Sequence, residues 1–308
     1  MKFFKGLEKI EVYKKDKRKS IFELYEKYFL LVDKYGWQVD VLFFEKIKSR
    51  DNKKILIPAL SFRTKKSGET FWILSGIHGE EPSGPNALAN SIKKIASLGK
   101  KMPVMFLPLL NPLGYIKNFR YPNEYRDWKI GKSVGDAKFV LLKKNNRVRK
   151  NFKPCRQAKF LINYIIKISK KYKPIISIDH HEDELISKSY IYSQGKMGQK
   201  DPIALMIANS LKSLDGKLLK KSGRTRFGEK IVNGIIGNTK DGSVDELLSS
   251  KKVILNNKIY IGPSSRTSIV VETPIKNKSL KERVKIHKSV INIYNKLVIK
   301  YYEKDKRD

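Results

Sequence analysis

Phe71-Trp72-Ile73-Leu74-Ser75-Gly76-Ile77-His78-Gly79-Glu80-Glu81-Pro82 runs from an apolar segment through a tight glycine turn to the start of a helix. Residues 71–76 have the bulky apolar make-up of a strand. Pro82 is placed to open a helix, where its missing N–H costs nothing. His78 and Glu81 lie three residues apart on the turn and can reach one metal ion. Neutral imidazole and ionised carboxylate are ordinary zinc ligands.

Working outward, the same grammar repeats. Residues 20–35 form an amphipathic helix, with Ser20 as cap, Gly36 as stop and apolar positions at helical spacing. Residues 37–44 and 55–62 read as strands, 82–98 as a helix and 104–110 as a short buried strand. Residues 111–154 are irregular and rich in Asn-Pro, Tyr-Pro and Gly, the make-up of a long functional loop. Residues 155–172 and 202–213 are helical, 175–178 and 268–271 are strands, and 280–302 reads as one long final helix. The alternation indicates a single α/β domain with a twisted, mixed and largely parallel sheet flanked by helices. It divides into an N-terminal helix with edge strands (1–65), a core (66–275), a C-terminal helix (276–303) and a charged tail (304–308).

Composition bounds the function. Of 308 residues, 40% are hydrophobic, enough for a sizeable core, and 31% are charged, above the usual quarter. The net charge is +36. Clustered cations would point to a polyanion, because they release counterions from a phosphate backbone. Yet only 13 of the 66 basic residues are arginine, the side chain that nucleic-acid readers favour. The lysines are also spread through every segment. Heavy use of Lys, Ile and Asn fits an AT-rich coding bias, so no specific nucleic-acid partner is expected. Cys155 is the only cysteine, which suits a reducing compartment. Residues 1–8 lack the apolar core of a secretory signal, and no apolar run approaches the roughly 20 residues of a membrane span. A cytoplasmic protein without a transmembrane segment is expected.

In open α/β sheets, sites form at the carboxyl ends of strands, and the chemistry-bearing residues fall there. Of four histidines, His78, His180 and His181 follow apolar strands. Because side chains alternate along a strand, His180 and His181 point apart, so one of them can join His78 and the other cannot. Asp179 shares the face of His181 and can orient an imidazole from behind. Glu272, in Ser268-Ile269-Val270-Val271-Glu272-Thr273-Pro274, is a carboxylate ending an apolar strand. Burying it without purpose is costly, and a raised pKa would make it a general base.

These segments together resemble the carboxypeptidase A-like zinc metallopeptidases (funnelins), whose fold is shared with succinylglutamate desuccinylase and aspartoacylase. The resemblance covers roughly residues 70–275. His78 and Glu81 match the family's H-x-x-E turn, and His181, in His181-Glu182-Asp183, matches its third ligand. Glu272, in Glu272-Thr273-Pro274, matches its catalytic glutamate. Asn111-Pro112-Leu113-Gly114-Tyr115 resembles its N-P-x-G-[FY] motif. The resemblance implies a zinc carboxypeptidase-like (phosphorylase/hydrolase-like) architecture holding one zinc ion on His78, Glu81 and His181. It also implies Glu272 as general base, Arg120 as the cation polarising the scissile carbonyl, and Arg126 as the grip on a substrate carboxylate.

Two positions depart from the pattern. Tyr125 stands where the family has the asparagine that partners Arg126. Gly242-Ser243-Val244-Asp245-Glu246 begins like the family's Gly-Ser-x-Asp-Trp-x-Tyr stretch, but neither Trp nor Tyr follows. No closing tyrosine and no specificity pocket are therefore assigned. The expected substrate is a small peptide or an N-acyl amino acid, cleaved at an amide beside a free carboxylate. The competing expectations are a deacylase of N-acyl amino acids and an inactive, basic zinc-binding protein that meets polyanions.

Overall fold

The computed structural model describes residues 5–48, 51–120, 136–143, 147–149, 154–214, 219–225 and 227–305. Ser20 caps α1 (Ile21–Tyr35) in a reciprocal box with Glu23, and Gly36 ends it in the left-handed region. A hairpin of β1 (Gln38–Lys48) and β2 (Lys54–Arg63) leads into β3 (Gly68–Ser75), the strand before the His78 turn. The helix expected over residues 82–98 is two helices, α2 (Ser83–Ala89) and α3 (Ile92–Lys101). Asn90 and Ser91 separate them, residues whose side chains compete with helical hydrogen bonding. After β4 (Val104–Leu109), the stretch expected to be irregular contains a short helix, α4 (Pro112–Lys117), capped by Asn111.

Beyond it come α5 (Arg156–Ile168), β5 (Tyr172–Asp183), β6 (Tyr190–Gly195) and α6 (Pro202–Leu214). Three short strands follow, β7 (Ser222–Arg224), β8 (Lys230–Val232) and β9 (Ile235–Gly237), then α7 (Val244–Ser249). A separate hairpin, β10 (Lys252–Leu255) and β11 (Lys258–Ile261), precedes β12 (Thr267–Pro274). The single final helix expected over residues 280–302 is α8 (Leu280–Ile291) and α9 (Tyr294–Asp305). Between them Asn292 takes a hydrogen bond from Lys94, and Ile293 N–H bonds Val290 O, an i−3 turn too tight for the α-helix. No helix among the described residues is long and apolar enough to cross a membrane.

Ten strands form one mixed sheet in the order β1-β2-β4-β3-β5-β12-β6-β9-β8-β7. Its centre, β4-β3-β5-β12, is parallel. β2 lies inside β1, so only β1 is an edge on that side. Alternation along the central strands sends side chains to two cores. Phe71, Ile73, Ile176, Ile178, Ile269 and Val271 pack against a core that includes residues of α1–α3, α6, α8 and α9. Trp72, Leu74, Met105 and Leu107 pack on the other side with α5 and α7. This two-faced burial is what α/β sheets require of their central strands.

Candidate active site

β3 and β5 are neighbours, with Ser75 opposite His180, and β12 lies beside β5 with Glu272 opposite His181. The register brings the His78 turn, His181 and Glu272 to one end of the sheet, although the first two lie over 100 residues apart in the chain.

The turn itself is held by backbone approach. Gly76 has φ 67°, which an L side chain tolerates poorly. At Gly79 a Cβ would lie 1.9 Å from the carbonyl carbon of Gly114, so the turn rests directly on the start of α4. Asn111 explains the Asn-Pro-x-Gly motif: its Nδ2 donates to Ile77 O (3.1 Å) and Arg120 O (2.8 Å). Its Oδ1 accepts from Gly114 N–H (2.9 Å). One amide thereby fixes the segment carrying His78 to the segment carrying Arg120. Arg18 adds a bond from the N-terminal region, donating to Gly79 O at 3.0 Å.

His78, Glu81 and His181 converge as one buried cluster whose candidate ligand atoms all lie within 4.8 Å of one another. His78 Nδ1 is 2.8 Å from Glu81 Oε1, and His181 Nδ1 is 2.8 Å from Glu81 Oε2. The two Nδ1 atoms are 3.1 Å apart. Behind the rings, His181 Nε2 faces Asp179 Oδ2 at 3.1 Å and His78 Nε2 faces Asp136 Oδ2 at 3.8 Å. A carboxylate at Nε2 favours the Nε2–H tautomer and turns the Nδ1 lone pair inward. Two lone pairs and a carboxylate aimed at one point could hold a cation.

The electrostatics agree. Burial works against an ionised Glu81, but His78 and His181 outweigh it and hold the carboxyl well below its ordinary range. Burial also works against a charged His181, but Asp179 and Glu81 outweigh it and hold the imidazole well above its ordinary range. The cluster therefore demands positive charge, from protons or from a metal.

His180 points to the opposite face, as alternation requires. It is 1% exposed and meets His287 of α8 and Tyr294 of α9. Glu272 lines the same cleft as the cluster, and burial pushes it up to about 8, with His181 opposing and Glu81 and Asp183 adding. Arg120 also lines the cleft and donates to Glu80 Oε1 (3.1 Å) and Glu81 Oε1 (3.3 Å). Arg126, with Tyr125, lies outside the described residues.

Sequence reasoning did not foresee the buried pair of Arg283 and Glu182, whose atoms are 2.5 Å apart. Glu182 also accepts from Ser83 N–H at 2.8 Å. A carboxylate continuing an apolar strand is a sign of a buried partner, but nothing near Arg283 marks it as that partner. Asp136 behind His78 was likewise missed, because it belongs to no motif.

No protein-family model and no curated protein sequence matches the chain. Solved structures do match in shape. A Shewanella baltica protein provisionally named a metallopeptidase is 18% identical, with TM-score 0.67, covering 90% of this chain and 91% of that one. A similarly named Shewanella amazonensis protein is 17% identical, with TM-score 0.66 and coverage of 88% and 90%. A metallo-carboxypeptidase of Burkholderia cenocepacia is 11% identical, with TM-score 0.56 and coverage of 93% and 70%. The chain thus has the metallo-carboxypeptidase fold, an α/β architecture with a large mixed sheet flanked by helices.

Proposed function

We propose that the protein is a zinc-dependent hydrolase of the metallocarboxypeptidase type, cleaving an amide or peptide bond next to a free carboxylate. The observation that carries this reading is the inward convergence of His78 Nδ1, His181 Nδ1 and Glu81, with a carboxylate behind each ring. These residues fit zinc: two imidazoles and one carboxylate are the three-ligand set of a catalytic rather than a closed structural site. Bound there, the ion would supply Lewis-acid polarisation of a carbonyl and a lowered pKa for a nearby water.

The chain's own groups would do the rest. Glu272, raised by burial, is basic enough to take a proton from the attacking water at a carboxylate oxygen. Once protonated, the same carboxyl can deliver that proton to the departing amine nitrogen. Arg120 Nη1, already beside Glu81, is placed to donate to the oxygen that gains negative charge. Arg126 is assigned to the substrate carboxylate from the sequence alone. Peptide and N-acyl amino acid substrates share this chemistry.

The test is turnover and zinc content for wild type and Glu272→Gln, on carboxyl-terminal peptides and on N-acyl amino acids. The variant is expected to keep one zinc ion and lose at least about 10³-fold in kcat. Parental turnover in Glu272→Gln would sink the base assignment. Faster cleavage of N-acyl amino acids than of peptides would make the protein a deacylase. Absence of bound zinc, with salt-sensitive binding to polyanions, would support the non-enzymatic alternative.

A further inference from the structure

Arg18 lies in the segment before α1, outside residues 70–275, and belongs to no motif. Yet it is 5% exposed, and among the described residues only Arg283 is an arginine as deeply buried. An arginine is almost never fully buried unless it is paired. Arg283 has its pair in Glu182. Arg18 has one in Asp16: Nε lies 3.0 Å from each carboxylate oxygen, and Nη2 also donates to Oδ2. That fork neutralises the charge, and the other N–H groups of the guanidinium reach further.

Nη1 donates to Gly79 O at 3.0 Å and to Tyr115 O at 2.6 Å, and Nη2 donates to Asn118 Oδ1 at 2.5 Å. Gly79 lies between His78 and Glu81 on the turn. It is thereby gripped at both ends, since its N–H donates to Phe119 O at 3.1 Å. Tyr115 O is among the last carbonyls of α4, groups that a helix end leaves without an N–H of its own. Asn118 closes α4 in the left-handed region at φ 58°, just before Arg120. Asn111 joins the turn to the Arg120 segment through Ile77 O and Arg120 O. Arg18 joins the same two segments through different atoms, Gly79 O on the turn and Asn118 at the end of α4.

The slot fits a guanidinium in particular. The rings of Tyr13 and Tyr115 lie 5.1 and 4.9 Å from its central carbon, within reach of a cation–π contact. The segment that carries Arg18 is itself fastened to α4: Tyr13 N–H donates to Ile116 O at 2.8 Å, and Tyr115 Oη donates to Lys19 O at 2.9 Å. The acceptors on Asp16, Gly79, Tyr115 and Asn118 are met together by one planar fork. A lysine ammonium, a compact point charge, cannot reproduce that pattern. Removing the fork leaves several buried acceptors unpaired at once.

We propose that Arg18 is a positioning residue for the metal centre: it holds the His78–Glu81 turn and the end of α4 in one fixed relation, so that the cluster and Arg120 face the same point. Its bearing on turnover rests on reading the site as an amide hydrolase; its bearing on metal affinity does not. The first arm measures zinc affinity of the full chain by competition with a chromogenic chelator, alongside urea stability of the metal-free protein. Arg18→Ala is expected to bind zinc about 10–100-fold more weakly than wild type. His287→Phe, which loosens the opposite face of the sheet, is expected to keep the parental affinity. Millimolar guanidinium chloride, too dilute to denature, is expected to restore zinc affinity to Arg18→Ala by refilling the vacated slot, and methylammonium chloride is not. Arg18→Lys is the variant to rely on should Arg18→Ala fail to fold, with an expected loss of about tenfold.

The second arm follows turnover at saturating zinc. Arg18→Ala is expected to lose about 10²-fold in kcat, the cost of misplacing a group in the site by about 1 Å, with KM little changed. Weakened zinc binding and guanidinium rescue, in a protein whose wild type cleaves neither peptides nor N-acyl amino acids, would keep the role of Arg18 and remove the hydrolase reading. Parental zinc affinity in Arg18→Ala or Arg18→Lys would overturn the proposal, and parental kcat at saturating zinc would overturn the hold on Arg120. An affinity loss matched by His287→Phe at equal loss of stability, or one that guanidinium fails to restore, would also overturn it, since Arg18 would then act only through the stability of the fold.

Discussion

Strand β5 carries a histidine to each face of the sheet, and the two resulting pairs differ in everything but geometry. The His78 and His181 rings are 4.8 Å apart, tilted by 65°; the His180 and His287 rings are 4.9 Å apart, tilted by 76°. All four rings are buried. The first pair is ringed by carboxylates: Glu81 between the Nδ1 atoms, Asp179 and Asp136 behind. The second is closed by hydroxyls, with His180 Nε2 2.5 Å from Tyr294 Oη and His287 Nε2 3.1 Å from Thr273 Oγ1. Burial pushes His180 down to about 4, and burial together with its histidine neighbours holds His287 well below its ordinary value. His181, equally buried, is held well above. Two close imidazoles alone do not favour a cation; the acids around the first pair do.

The comparison can be broken most sharply by deleting a ring from each pair. His78→Ala or His181→Ala is expected to take zinc from one equivalent to near none and to lower turnover by at least about 10³-fold. His180→Ala is expected to retain the metal. Elemental analysis of purified variants decides it, and the reverse pattern would exchange the roles of the two faces. Arg120→Ala is expected next in size. It should keep zinc and lose about 10²–10³-fold in kcat, the range for one lost oxyanion donor.

Acid separates the pairs by direction. An unfolded histidine binds its proton near pH 6.5, whereas folded His180 resists until about 4. Between these values the unfolded state holds more protons, so folding stability falls as pH falls. The stability contributed above pH 6.5 is lost progressively down to about pH 4, by roughly 3 kcal/mol for His180. Urea melts of chelator-treated protein at pH 7, 5.5 and 4 should show this slope in wild type and a flatter one in His180→Gln. The smallest effect is expected at the far end of the same network. His287→Phe leaves His180 and Thr273 without their partner and should cost about 1–3 kcal/mol of stability while zinc content stays unchanged.

How much of this was legible in the sequence follows from how local each signal is. His78, Glu81, His181 and Glu272 could be placed because each ends or follows an apolar run, and a period of two then fixes the face. The separation of His180 from His181 follows from that period alone. The two helix breaks, at Asn90-Ser91 and Asn292-Ile293, were missed because apolar periodicity continues across them. The second break lets His287 and Tyr294, from different helices, both reach His180. Strands β6 to β9 were missed because they are short and partly polar, and their pairing is set by non-local partners. The same period of two puts Asp179 behind His181, whereas Asp136 behind His78 carries no motif, and only the fold shows what it faces.

The clamp of Arg283 on Glu182 bears on how the site is born. Glu182 follows His181 directly and holds the first N–H of α2, just beyond the His78 turn, while its counter-ion comes from α8. Glu272 is also contributed late, by β12. A ribosome must therefore have delivered residue 283 before the two limbs of the cluster can be locked in place by this ion pair. A nascent chain stalled short of residue 283 would carry both histidines without the brace that aligns them.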